Sequence, residues 1–275
     1  MKTIVAATDF SDDSLNAVNY AADMACITQN NLLLVHVCSP PELSSETPAF
    51  FSMEELIANA GHELKQLKEK LTRITNGTLV ITTMVKQGDI IDGIEECCSL
   101  ENTFAVVMGR TNMGDLKRTL YGSRTVQATK RLSIPIITVP PGVKLSSIKN
   151  IGIACDFRAV TETLPAPGIR NFVQGLNAVL HVLHVCAGSR GDSFRSQIIE
   201  QSAGFRALLG DLALHFHFIK SVDPDIAIIE LSEKLQLDLL IIIPKKHNII
   251  RKVFGHSHSR QLVLHSHVPV MAIHE

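Results

Sequence analysis

KTIVAATDFSDDSLNAVNYAADMACITQNNLLLVHVC, residues 2–38, decides the fold. Its first part, KTIVAATD, is a short β-branched apolar run and reads as a buried strand. In SDDSLNAVNYAADMACITQ the period changes. Ser11 can cap a helix, Asp12 and Asp13 suit its first turn, and Leu15, Val18, Ala22 and Ala25 recur at helical spacing. NLLLVHVC is a second strand. Strands that are apolar throughout, joined by a helix, predict a parallel sheet covered on both faces, with right-handed crossovers.

The alternation continues. Residues 39–50, rich in Ser and Pro, read as a loop, and FSMEELIANAGHELKQLKEKLTRIT as a long amphipathic helix. TLVITTMVK is a third strand, GDIIDGIEECCSLE a helix, FAVVMG a fourth strand, SRTVQATKRL a helix and PIITVP a fifth strand.

The same order then recurs. IVAATDFS (4–11) resembles IGIACDFR (151–158), and LLVHVC (33–38) resembles HVLHVC (181–186). KQGDIIDGIEE (86–96) resembles KSVDPDIAIIE (220–230), and IPIITVP (134–140) resembles VPVMAIH (268–274). One unit has been used twice. The seam lies near PPGVKLSS (140–147), which places domains at 1–143 and 144–275. The expected fold is a doubly wound α/β sheet, twice. The second helix of the second unit, within GDSFRSQIIEQSAGFRALLG, is expected to be shorter than its counterpart.

Composition agrees. A chain of 275 residues suits two domains of about 100–200 residues each. With 45% apolar and 19% charged residues it has material for a core, which excludes disorder. A net charge of -1 argues against a duplex-DNA binder with a broad basic surface. No apolar run approaches the roughly 18 residues that span a bilayer, and MKTIVAATDFSDD does not read as a signal peptide. Neither nucleic acid nor membrane is an expected partner. The six cysteines form no CxxC pair, so buried free thiols in a reducing cytoplasm are expected.

In open α/β sheets ligands sit beyond the carboxyl ends of the strands, near a switch in strand order. Strand one ends at Thr8 and Asp9, strand two at Val37, and strand four at Met108 and Gly109. GRTNMGDLKRTLYGSRT follows strand four, far longer than a plain connection of about 2–6 residues. Gly109, Asn112, Gly114 and Gly122 tolerate positive φ. Gly122 and Ser123 open a helix whose free N–H groups suit anions, and Lys117, Arg118 and Arg124 make the stretch basic. The residues alone leave two readings open, a phosphate cradle and a structural loop. Asp9 likewise reads either as a ligand group or as a cap of the following helix.

The run MG-x2-N-x9-GS, from Met108 to Ser123, resembles the universal stress protein signature G-x2-G-x9-G-[ST]. TDFS after strand one, LLVHV at strand two and the IPIITVP ending are similar to that family too, and the whole chain resembles a tandem member. The resemblance implies a five-stranded parallel sheet of order 3-2-1-4-5 and ATP as ligand, with Mg²⁺ placed by Asp9 if the nucleotide is hydrolysed. It implies that Asp9 meets the ribose or a metal and that Val37 offers backbone groups to the adenine edge. Met108 and Gly109 would approach ribose and phosphates, and Gly122 and Ser123, beside Arg124, would bind phosphates. Asn112 departs from the signature, which has glycine there; Asn tolerates left-handed backbone, so the turn can survive.

The second unit keeps Asp156 and Val185 but not the loop. Its strand-four exit reads IIIPKKHNIIRKVFGHSHSR, with Pro244 near the Gly109 position and His256 in place of Ser123 after Gly255. Proline has no N–H and a fixed φ, so a degenerate site is expected there. Ten of the twelve histidines follow the seam. His256, His258, His265 and His267 invite a metal reading, but the x1 spacing splays the rings and no cysteine or carboxylate is near in sequence, so no metal site is expected. His36 and His184 occupy the same strand-two position and read as structural, and Cys97–Cys98 as helix packing.

The resemblance implies a role in stress response, and the functional expectation is a cytoplasmic regulator that binds one ATP in its first half and acts through protein partners. Walker A, SGGxDS and HIGH signatures are absent, and no residue stands out as a base. A slow ATPase and a ligand-free interaction module are the alternatives. Strand five of each half is expected to pair within the chain as a pseudo-dimer, and whole chains to form a homodimer. An acidic first half and a basic second half would favour the internal pairing.

Overall fold

Five apolar runs of the first half become five parallel strands: β1 (Thr3–Ala7), β2 (Asn31–Cys38), β3 (Ile81–Gln87), β4 (Thr103–Gly109) and β5 (Ile136–Val139). The computed structural model describes residues 1–39, 52–110, 125–155, 164–186, 202–244 and 258–274. The chain divides into two units, Met1–Lys144 and Leu145–Glu275. In the first unit the strand order is β3-β2-β1-β4-β5, as expected. The expected loop 39–50 lies, but for Ser39, outside the described residues.

The helices start where side chains satisfy free N–H groups. α1 (Asp12–Thr28) is capped by Ser11, with Asp12 and Asp13 in its first turn. α2 (Met53–Ile74) opens on a capping box between Ser52 and Glu55. α3 (Ile90–Leu100) is capped by Asp89, which accepts from the N–H groups of Ile91 and Asp92. Residues 125–131 form α4. The buried stripe of α1 is wider than its apolar spacing suggests. Leu15 is only half-buried, whereas Ala17, Val18, Tyr20, Ala21 and Met24 are buried. Small residues let this helix lie close to β1 and β4. On the opposite face Leu33, Val35 and Val106 pack against Ile91, Ile94, Cys97 and Cys98 of α3 and Ala128 and Leu132.

The second unit repeats the plan with β6 (Asn150–Ala154), β7 (Val179–Cys186), β8 (Leu214–Lys220), β9 (Leu239–Ile242) and β10 (Val270–Ala272), in the order β8-β7-β6-β9-β10. All its strand pairs are parallel. Its helices are α5 (Ala166–Gly175), α6 (described over 202–209), α7 (Pro224–Lys234) and α8 (His258–His265).

Register corrects two equivalences drawn from sequence. Gln87 pairs with Cys38 and Lys220 pairs with Cys186, so Lys220 matches Gln87 rather than Lys86. The second unit has one extra residue before the helix cap, and Val222 there is fully exposed. Ile4 pairs with Ala105 and Ile151 with Leu239. Counting from these pairs puts Ile243 at the Gly109 position and Pro244 at that of Arg110.

All six cysteines are free. Cys38, Cys97 and Cys98 are buried, as expected, but Cys26 is exposed and Cys155 and Cys186 are half-buried. Cys26 falls on the outer side of α1, where the apolar context in sequence does not face the core. Among the described residues no helix is long and apolar enough to cross a membrane.

Candidate functional site

The order β3-β2-β1-β4-β5 reverses between β1 and β4, so their carboxyl ends border the switch point. β1 ends in a locked turn. The Thr8 and Ser14 hydroxyls are 2.9 Å apart, and Thr8 Oγ1 also accepts from the Phe10 N–H at 3.0 Å. Ser14 Oγ accepts from the Asp9 N–H and donates to the Ser11 carbonyl. Phe10 carries φ 65, a conformation uncommon without glycine, and its ring stacks on His36 with centroids 4.8 Å apart. His36 Nδ1 donates to the Thr8 carbonyl at 2.8 Å, tying the end of β1 to β2. The expected structural role of His36 is found.

This turn leaves Asp9 exposed. Its Oδ1 accepts from the backbone N–H and the hydroxyl of Ser11, at 3.1 and 2.5 Å. Asp9 is therefore not the helix cap; it braces Ser11, which is. Enclosure by the chain pushes its pKa up, but the hydrogen bonds from Ser11, Ser14 and the backbone outweigh this and hold the carboxyl below its ordinary value. An ionised carboxylate only accepts, so Asp9 suits hydroxyl donors or a cation.

Val37 stands one strand away. In a strand, alternate residues turn their backbone groups to opposite neighbours. Cys38 accepts from the Gly88 N–H on the β3 side, and Val35 accepts from the Thr8 N–H on the β1 side. Val37 therefore faces β1, which has left the sheet at Thr8. Its N–H and C=O border the crevice, with no strand opposite them among the described residues.

At the end of β4 the Met108 side chain is buried in the core with Val5 and Ile94, so only its backbone borders the rim. Gly109 has a definite steric reason. A Cβ there would lie 2.5 Å from the Asp13 carbonyl oxygen and 3.1 Å from Ser14 Cα. The first turn of α1 passes over it. Gly109 thus lets the turn that carries Asp9 settle against β4. Asn112, Gly122, Ser123 and Arg124, with Gly114, Lys117 and Arg118, lie outside the described residues. The structure thus brings Asp9, Val37, Met108 and Gly109 to one rim. Sequence reading missed Thr8, Phe10 and Ser14, which hold that rim; the only signal was their place in TDFSDDS after the strand.

The second unit keeps part of this arrangement. His184 Nδ1 donates to the Cys155 carbonyl at 2.8 Å, matching His36 and Thr8. The Cys155 N–H binds the Leu183 carbonyl and the Ser221 N–H the Cys186 carbonyl, so Val185 repeats the backbone direction of Val37. Ile243 at the Gly109 position excludes the close helix approach of the first unit. Asp156, Gly255 and His256 lie outside the described residues, as does the side chain of His258. His267, with no carboxylate near it in sequence, lies 3.6 Å from Glu233 of α7. Among the described residues no three His, Cys, Asp or Glu side chains are placed to share a metal ion.

A family model described as the universal stress protein family matches residues 1–140 and again 148–274. Among solved structures, a universal stress protein from Archaeoglobus fulgidus DSM 4304 aligns with a TM-score of 0.73 at 18% identity, covering 99% of this chain and 98% of that one. A Pseudomonas aeruginosa UCBPP-PA14 protein ascribed to the same family aligns with a TM-score of 0.67 at 13% identity, covering 100% and 93%. A universal stress protein solved in complex with cAMP aligns with 51% of this chain and 98% of its own, at 19% identity and a TM-score of 0.40. No curated protein matches the chain.

Proposed function

The chain belongs to the universal stress protein family, and from that premise we propose that its first unit is a regulatory adenine-nucleotide site that takes ATP. One juxtaposition carries the reading. At the switch point, an oriented, ionised Asp9 stands beside the open backbone edge of Val37. The edge of adenine bears both a donor and an acceptor, which suit a backbone C=O and N–H. Ribose hydroxyls donate, which suits Asp9. In this reading the Met108–Gly109 backbone lies under the sugar. Asn112, Gly122, Ser123 and Arg124 take the phosphates, with N–H groups at a helix start supplying the positive end.

The site is assigned binding rather than turnover. Asp9 is the carboxylate this reading assigns to the site, and Mg²⁺ would arrive with the phosphates, which commonly complete its coordination. Occupancy would change the surface that protein partners read in the cytoplasm, and the second unit serves as a partner domain with a degenerate site.

Thermal shift and retained nucleotide after dialysis test this on the full chain. ATP is expected to raise the melting temperature and to remain bound, with phosphate release slower than a turnover per minute. Asp9→Ala should weaken binding about tenfold or more, the effect of losing a hydrogen bond to a charged group. No shift and no retained ATP would overturn the proposal in favour of an interaction module. Rapid phosphate release would assign an ATPase instead.

A further inference from the structure

The two units differ sharply on one sheet face. In the first, Leu33 of β2 pairs with Thr82 of β3, and Val35 with Met84. In the second, His181 of β7 pairs with His215 of β8, and Leu183 with His217. Three imidazoles thus stand where the first unit has Leu33, Thr82 and Met84. His181 is 8% exposed, against 1% for Leu33. Its Nδ1 lies 3.0 Å from His217 Nε2, the two rings stack with centroids 5.2 Å apart, and His215 meets His181 edge-on at 5.3 Å.

The protons can be placed. His181 Nε2 is buried with no hydrogen-bond partner. If it carried a proton, it would be an orphaned buried N–H, which folded proteins tolerate less than an unpaired acceptor. The favoured tautomer therefore has Nδ1–H of His181 donating to Nε2 of His217. A second proton has no good place. On His181 it would sit at the orphaned Nε2; on His217 it would set two N–H groups against each other at 3.0 Å.

Nothing described nearby offsets such a charge. β6 brings no titratable group, and β7 brings His184 and Cys186, whose alternation puts both on the other face. From β8, Lys220 also falls on the other face, as does Phe216 with Arg206 of α6 stacked over its ring. α7, which packs against β7, carries Asp225, Glu230, Glu233 and Lys234. Burial lowers the pKa of His181, and the neighbouring His217 and His215 lower it further; burial and His215 lower that of His217. No carboxylate enters either balance.

We propose that the His181–His215–His217 cluster is an acid-responsive joint, by which mild acidification loosens the edge strand β8 from β7 in the second unit alone. The sign follows from linkage. His181 and His217 bind protons less readily folded than unfolded, so the stability of this joint is intact above the ordinary value near 6.5 and falls as pH drops below it. β8 is the terminal strand of its unit's order and so has one strand partner to lose there. The first unit, with no titratable group at the three positions, is the internal control. The inference is independent of the nucleotide reading and is tested without nucleotide.

Hydrogen exchange of the full chain, corrected for intrinsic rate, would be followed by mass spectrometry at about pH 7.5 and about pH 5.5. Peptides covering β8 should lose about tenfold protection per pH unit below the ordinary histidine value for each proton the open state gains, while β2 and β3 keep theirs. The variant H181L/H215T/H217M, which installs the first unit's residues, should hold β8 equally protected at both values. Unchanged wild-type protection, or the same loss in the variant, would overturn the proposal. Should the variant not fold, imidazole nitrogen NMR of the wild-type protein decides: His181 neutral and protonated at Nδ1 down to about pH 6 supports it, and His181 titrating at or above the ordinary value contradicts it.

Discussion

Asp9, Ser11 and Gly109 form one device. Gly109 makes room for the first turn of α1, Ser11 caps that turn, and Asp9 is aimed by Ser11. Ser11→Ala should cost about 1 kcal/mol, the usual price of an N-cap, measurable by urea unfolding. It should also raise the Asp9 pKa in an NMR titration, because the hydroxyl hydrogen bond to the carboxylate disappears while the backbone N–H of residue 11 stays. In the wild type, the stability tied to this depressed carboxyl is present above the ordinary value of 3.8 and lost as pH falls through the folded value. Gly109→Ala should destabilise by about 1–3 kcal/mol, since the atom it meets is helix backbone that cannot move alone. Gly61→Ala is the contrast: it lies within α2 with nothing within 4 Å of its Cβ, and should stabilise by about 0.5–1 kcal/mol. Asp9 was legible in sequence as a strand-end carboxylate. Its orientation was not, because that depends on Ser14 reaching back to Thr8 and on a left-handed Phe10, which no periodicity announces.

Periodicity made the elements legible. β2 is found over the residues its apolar run marks, and α2 begins at the first Ser-x-x-Glu after the loop. Chemistry shared across strands was harder to see. His181 and His217 are 36 residues apart and meet only through register, and Glu233 meets His267 only through packing. The same holds for thiols. Burial pushes the Cys98 pKa up to about 11, whereas Cys26 is exposed. At about pH 8, iodoacetamide with mass-spectrometric readout should label Cys26 and leave Cys97 and Cys98 intact until the protein is denatured. Labelling of Cys97 and Cys98 in the native state would show that α3 opens readily.

The chain uses one fold twice. Both units keep the histidine that ties strand one to strand two, and both turn a valine backbone toward the crevice. They part at the end of the fourth strand, where the first unit has Gly109 and the second Ile243, and in the sheet face that carries Leu33 in one and His181 in the other. The repeat was legible from matched segments. The one-residue slip between Lys86 and Lys220 was not, because similar lysines mask it until strand pairing is known. Stoichiometry tests the central claim most directly. Calorimetric titration of the full chain with ATP should give one site, abolished by Gly122→Val and preserved in Gly255→Val. Two equivalent sites, none, or loss of binding only on changing Gly255 would contradict the account.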